Sequence, residues 1–276
     1  MLPHRFKTMG LKIDGKFVHA TNGGLQPQRG QEVIILIHGA GMNRTVWQLQ
    51  TRNLSHRGFN TYALDLPGHG KSDGPGIKTI EETANWINKV LETMKINKAT
   101  IIGHSMGALV ALDFGSRFER ITKSLILIGV ADSMPVHEDL LAAAKDKTNV
   151  ASSMITLWGI GEKAHKGGHL QPGYWLAGAN HRLLQLSAPN TLFTDLSACN
   201  NYKGGIEAAK NIKCPVKLIL GDKDRMTPKK RGLALAKYLK NVSIDIIPDC
   251  GHMIMVEQPE AVFQSLQKFI LFEGYK

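Results

Sequence analysis

Cysteine is scarce in this sequence: Cys199, Cys214 and Cys250 are the only three among 276 residues. An odd count without a CxxC pair offers neither a disulfide framework nor a zinc-knuckle spacing, so a reducing compartment is the simpler setting. Long apolar runs are missing as well. No stretch approaches the roughly 18 apolar residues that a membrane span needs. The amino-terminal MLPHRFKTMGLKIDG has basic residues but no apolar region behind them of the secretory kind. Repeats, low-complexity tracts and Ser/Gly linkers are also absent. These absences lead to the expectation of a soluble, cytoplasmic protein.

Acidic residues are the other shortfall, 23 Asp and Glu against 34 Lys and Arg, for a net charge of +11. Such a charge favours anionic partners through long-range attraction and says nothing about fold. The basic residues are spread along the chain. Their densest cluster, Lys229-Lys230-Arg231, falls where a helix should begin its solvent face, and no aromatic residues interleave with it. The pattern reads as a solvated surface and not as a nucleic-acid interface.

What is present is a set of short runs rich in Ile, Val and Leu: Val33 to Ile37, Tyr62 to Leu66, Ala99 to Ile102, Leu125 to Ile128, Val216 to Leu220 and Val242 to Ile247. They alternate with segments of helical period, the pattern of a mostly parallel sheet covered by helices. Near-continuous apolarity predicts strands buried on both faces. Between them Ile80, Ala84, Ile87, Leu91 and Met94 recur at helical spacing, with Thr79 and Glu82 set as a capping box. A similar stripe, Val262 to Ile270, follows Pro259, which suits a first helical turn. These stripes predict core packing.

From about Asp132 the alternation stops, and no strong buried-strand run appears before the chain reaches residue 205. The expected architecture is therefore α/β, a mostly parallel central sheet flanked by helices. Its core is split into residues 1–131 and 206–276 by a helical insertion at 132–205. Gly159, Gly161, Gly167, Gly168 and Gly173 punctuate the insertion and predict a hinged or loop-broken stretch.

Gly103-His104-Ser105-Met106-Gly107 follows one strand-like run and precedes a helix-like one. A strand-to-helix turn that tight needs small residues two before and two after the serine. The turn lifts the hydroxyl clear of the chain and aims the Met106 amide and the helix dipole where negative charge would form. A serine hydroxyl needs a base to take its proton. His252 is the candidate, in Asp249-Cys250-Gly251-His252 just past the last strand run, whereas His104 should point elsewhere. The base in turn needs an acid to hold its tautomer. Asp224 is preferred, because its offset from Leu220 lets the chain turn back toward the histidine loop, while Asp222 is assigned to capping the turn. Asp132, after another strand, is a further position from which an acid could reach His252. For a second oxyanion donor, His38-Gly39-Ala40-Gly41 ends the first strand run and lets the Ala40 amide face the site beside that of Met106.

With these motifs in order, the chain resembles the α/β-hydrolase superfamily from about Glu32 to Phe272. Asp65-Leu66-Pro67-Gly68-His69-Gly70-Lys71-Ser72 is similar to the family's loop after the next strand. Gly251-His252 through Glu257-Gln258-Pro259-Glu260 is similar to its histidine loop and last helix. The resemblance implies that the insertion is a cap shaping the substrate pocket, with Trp158 and Trp175 as candidates to face it. Members with an aspartate nucleophile, such as epoxide hydrolases and haloalkane dehalogenases, are disfavoured because Ser105 holds that position.

The expected function is a serine hydrolase, carboxylesterase-like, that cleaves a small, partly apolar ester through an acyl-enzyme without metal or organic cofactor. Thioester hydrolysis, carbon–carbon bond hydrolysis, perhydrolysis and peptidase action use the same framework. A non-catalytic small-molecule receptor is the alternative of another class, and the intact Ser105, Asp224 and His252 set argues against it.

Overall fold

The computed structural model describes residues 9–146, 149–168 and 173–273. The amino-terminal stretch read above for a secretory signal lies largely outside them, as do residues 147–148 and 169–172 of the expected insertion. Among the described residues the strands are β1 (Met9–Ile13), β2 (Lys16–Thr21), β3 (Val33–Ile37), β4 (Asn60–Leu64), β5 (Ala99–His104), β6 (Thr122–Ile128), β7 (Val216–Gly221) and β8 (Val242–Ile247). They form one sheet in the order β1-β2-β4-β3-β5-β6-β7-β8, antiparallel where β2 meets β1 and β4 and parallel at every other pairing.

Alternate residues of the central strands enter two separate cores. Ile35, Ile37, Ile101, Leu125 and Leu218 pack on one face with α2 (Ile80–Thr93) and α3 (Met106–Arg117). Ile34, Leu36, Ile102, Ile126 and Ile219 pack on the other. That second face is covered by α1 (Gln48–His56) and by the carboxy-terminal helices described below. Strict period-2 geometry thus sends every residue of an apolar run into one core or the other, so the runs do not alternate in polarity. Within α2, Ile80, Ala84, Ile87 and Leu91 are fully buried and the Thr79 side chain accepts the Glu82 amide at 3.1 Å.

Three expectations need correction. β8 is an edge strand: Val242 and Ile244 are only partly buried against one core, Ile247 enters the other and Ile246 is 43% exposed, so the full burial on both faces predicted for it fails. The Tyr62 run is shifted: β4 starts at Asn60, paired to Val33, and the chain leaves the sheet at Asp65. Finally, the hairpin of β1 and β2 adds two strands to the six expected. They are joined at Asp14-Gly15, both at positive φ, with Ile13 facing Lys16 across a two-residue turn. Asp-Gly between short alternating segments is a hairpin signal, and it could have been read.

The segment after β6 is helical among its described residues: α4 (Glu138–Lys145), α5 (Asn149–Gly159), α6 (Glu162–His165), α7 (Leu176–Gln185) and α8 (Thr191–Asn201). Next come α9 (Gly205–Asn211), which packs against α3, then α10 (Lys229–Ala236), α11 (Ile254–Glu257) and α12 (Pro259–Glu273). No described helix is long and apolar enough to cross a membrane.

Candidate active site

Because β3 to β8 run parallel, the loops that leave their carboxyl ends all emerge on one edge of the sheet, which is where such sheets gather ligand-binding groups. Ser105 leaves β5, the Gly39–Met42 turn leaves β3, Asp224 follows β7 and His252 follows β8. Residues far apart in sequence therefore meet around one cavity of about 210 Å³ that Ala40, Ser105 and His252 line together.

Ser105 sits at φ 54°, ψ −118°, a conformation that costs a non-glycine residue energy and persists only when its surroundings enforce it. The enforcement is visible on both sides. Its own amide donates to the Ile128 carbonyl at 3.0 Å, and its carbonyl accepts from Ala108 and Leu109. A methyl group on Gly103 would overlap the Gly107 carbonyl oxygen, and one on Gly107 would overlap that of Ile37. The serine is the residue before α3, yet its side chain caps nothing, which leaves the hydroxyl free to project into the cavity.

His252 is buried, and its Nδ1 lies 2.8 Å from Oδ2 of Asp224. An ionised carboxylate only accepts, so in the neutral ring it is Nδ1 that carries the proton and Nε2 that has the lone pair. That Nε2 has no hydrogen-bond partner among the described residues. Asp224 is fully engaged: Oδ1 accepts the amides of Met226 and Thr227 at 2.8 Å each, and Oδ2 also accepts the Thr227 hydroxyl at 2.7 Å. Burial pushes its pKa up, but the adjacent His252 and the Thr227 hydrogen bonds outweigh that and hold the carboxyl below the usual range.

The other candidate acids are spent elsewhere. Asp222 accepts the Cys250 amide at 3.3 Å, so it braces the histidine loop instead of only capping its own turn. Asp132 pairs with Arg231 at 3.2 Å, which also draws that arginine out of the solvated cluster expected of it. His104 points away from the hydroxyl, and its Nε2 donates to the His252 carbonyl at 2.9 Å. Its pKa is lowered to about 3, first by burial and then by the neighbouring His252 ring, so it is neutral.

The amides of Ala40 and Met106 donate to no other protein group among the described residues. The loop bearing Ala40 is anchored through His38, whose Nδ1 donates to Gly39 O at 2.9 Å while Nε2 accepts the Leu66 amide at 3.2 Å. Burial, then the charge of His69, lowers the His38 pKa to about 3. Such a constellation can take a proton from a hydroxyl at Nε2 and stabilise negative charge on an oxygen near the two free amides.

Trp158 of α5 lines the cavity. Trp175, expected to face the pocket, does not: it is 72% exposed just before α7 and lines no part of the cavity. The glycine-marked hinge is also corrected at its first part. Gly159 O accepts the amides of His252 and Met253 at 2.7 and 3.1 Å, and the Gly161 amide donates to Glu257 at 3.0 Å, so this stretch is pinned to the histidine loop. Glu257 was seen in the sequence only as part of a motif. Its buried carboxylate accepts the amides of Gly161, Gly251 and Met253, and burial pushes its pKa up despite those bonds.

A model of the alpha/beta hydrolase family matches residues 34–265, and the chain belongs to that family. It is 25% identical over 252 residues to an uncharacterized carboxylesterase, nap, of Bacillus subtilis, which covers 86% of this chain and 78% of that protein. It is 24% identical to a 2-hydroxy-6-oxononadienedioate/2-hydroxy-6-oxononatrienedioate hydrolase of Paraburkholderia phymatum, covering 92% of this chain and 95% of that one. Among solved structures, a thermophilic esterase superposes with a TM-score of 0.79 at 25% identity, over 96% of this chain and 98% of its own. The protein is thus an α/β-hydrolase-fold hydrolase.

Proposed function

We propose that the protein is a serine hydrolase that cleaves a small, partly apolar ester. Ser105 Oγ attacks the ester carbonyl carbon as His252 Nε2 takes the hydroxyl proton. The resulting oxyanion is held by the amides of Ala40 and Met106. Collapse of this intermediate breaks the bond to the alkoxy oxygen, which leaves as an alcohol with the proton from His252. A water then gives a proton to His252 and attacks the acyl-Ser105, releasing the acid and restoring the hydroxyl. Asp224 stays ionised and holds the imidazole in the required tautomer.

One observation carries the reading: a histidine tied through Nδ1 to a buried carboxylate keeps an unpartnered Nε2 at a cavity that it lines together with a strained serine. Apolar side chains from the insertion, among them Leu140, Ile155 and Leu196, line the same cavity and suit an apolar acyl or alkyl group. Labelling with a fluorophosphonate followed by peptide mapping tests it. Modification at Ser105, together with loss of p-nitrophenyl ester turnover in Ser105→Ala, is expected. A folded protein whose Ser105 stays unlabelled refutes it.

A second reading, carbon–carbon bond hydrolysis of an acid-bearing substrate on the same residues, is favoured by Arg225. This exposed side chain at the cavity has no hydrogen bond or ion pair among the described residues, and no carboxylate lines the cavity. A relative named for a dienedioate substrate supports the same direction.

A further inference from the structure

The insertion reaches the oxyanion loop with a charged group. Asp195, on α8, is 2% exposed, and its Oδ2 accepts two hydrogen bonds: from the Gly41 amide at 2.8 Å and from His69 Nε2 at 2.7 Å. His69 is equally buried, and its Nδ1 lies 3.0 Å from the Pro67 carbonyl. Both ring nitrogens thus face acceptors, the arrangement of an imidazolium. Burial lowers the pKa of this histidine, but the charge and hydrogen bond of Asp195, the Pro67 carbonyl and the charge of Asp65 together outweigh it and raise the value above the ordinary one.

Gly41 is the third residue of the turn that Met42 closes by donating to Gly39 O at 3.2 Å, and its φ is +67°. Positive φ at that place is the mark of a type II turn, in which the central peptide is flipped relative to type I. The central peptide here joins Ala40 to Gly41, and its N–H is the one that Asp195 accepts. Ala40 Cα joins that peptide to the one whose N–H is the free Ala40 amide, so an anchor on the Gly41 amide restrains the backbone that carries the Ala40 amide. Apolar packing adds to the bond: a methyl on Gly41 would run into Leu192 and Leu184, both from the insertion.

We infer that Asp195 is a positioning residue: from the insertion it holds the Gly39–Met42 turn in the form that points the Ala40 amide at the cavity, so the oxyanion site is complete only with α8 docked. The inference rests on the role proposed above for the Ala40 amide. His69 supplies the counter-charge that lets a carboxylate stand buried there.

The full-length chain serves for the test, with p-nitrophenyl acetate as substrate and rates expressed per site titrated to completion by fluorophosphonate. Asp195→Ala removes both bonds. Misaiming one oxyanion donor should lower kcat by roughly tenfold, short of the ~10²- to 10³-fold cost of deleting one, with KM changed by less than about threefold. Asp195→Asn still presents an oxygen to the Gly41 amide and should keep kcat within about threefold of the parent. Affinity for phenylboronic acid, which forms a tetrahedral adduct with serine, should fall in parallel with kcat. Thr191→Val is the control: it removes another bond from α8, that of the Thr191 hydroxyl to Gly68 O at 3.2 Å, leaves the Asp195–Gly41 bond in place, and should leave kcat unchanged. If Asp195→Ala does not fold, Asp195→Ser, too short to reach the Gly41 amide, takes its place. An unchanged kcat per titrated site in the Ala or Ser variant overturns the inference, as does an Asn variant as impaired as either. A parent enzyme that neither labels nor turns over ester overturns the proposed function instead.

Discussion

Replacing Asp224 by asparagine changes one atom and should all but stop the enzyme. Oδ1 accepts two backbone amides, from Met226 and Thr227 at 2.8 Å, and an NH2 group placed there would face two donors. The asparagine oxygen therefore takes the Oδ1 position and its NH2 the Oδ2 position, 2.8 Å from His252 Nδ1. That NH2 donates to Nδ1, which forces the proton onto Nε2, the nitrogen that in the proposed mechanism accepts from Ser105. An imidazole held in the wrong tautomer loses about 10⁴-fold in kcat in comparable sites, or about 5 kcal/mol at 1.36 kcal/mol per tenfold. Initial rates of p-nitrophenyl butyrate hydrolysis at neutral pH, per correctly folded site, measure the loss. Asp222→Asn, which weakens only a 3.3 Å bond to the Cys250 amide, should cost far less. An Asp224→Asn enzyme within about tenfold of the parent, or an Asp222→Asn enzyme that is the more damaged, would refute the assignment, since tautomer control predicts a loss near 10⁴. The carboxyl also bears on folding. Its pKa is depressed in the native state, so its contribution to stability is present above the unfolded value and is lost as pH falls through the folded one.

Gly107→Ala should destabilise the fold by about 3 kcal/mol or more in urea titration, because the methyl meets the rigid Ile37 carbonyl oxygen. A midpoint unchanged from the parent would contradict the steric account of the turn. Trp158→Ala should shift the ratio of kcat/KM between long and short acyl esters by about tenfold, as enlarging an apolar pocket does. Trp175→Ala, on the outer surface, should leave that ratio alone, and equal effects from the two would show that the cavity is misassigned. Arg225→Ala should reduce kcat/KM for the p-nitrophenyl monoester of a dicarboxylic acid by only about two- to fivefold relative to p-nitrophenyl butyrate, since an exposed charge pair is worth at most about 1 kcal/mol. Equal loss on both esters would remove the case for an anionic substrate.

The core strands were legible because a strand buried on both faces cannot hide its composition: Ile34 to Ile37 and Ile101 to Ile102 have no solvent face on which to place a polar residue. The same argument explains where reading failed. An edge strand such as β8 and a hairpin such as β1–β2 are only partly covered, so their residues carry little of that pattern. The candidate site was legible to the extent that each of its groups lies a few residues beyond an apolar run. Ser105, Asp224, His252 and Ala40 do, and the structure brings them to one edge of the sheet. Trp175 has no such tether, and its aromatic character alone did not tell an outer surface from a pocket wall.

By itself the sequence determined what neighbours along the chain can enforce: the period of each element, the glycines that a turn at Ser105 requires, and the position of reactive side chains just beyond strand ends. Tertiary structure alone decided which groups pair across the fold. Asp224 reaches His252 across 28 residues, Glu257 reaches Gly161 across 96, and Asp195 reaches Gly41 across 154. No local propensity encodes such a bond. Each depends on how the helices between β6 and β7 and the loops dock over the sheet edge, where a buried carboxylate is tolerated only if donors meet it.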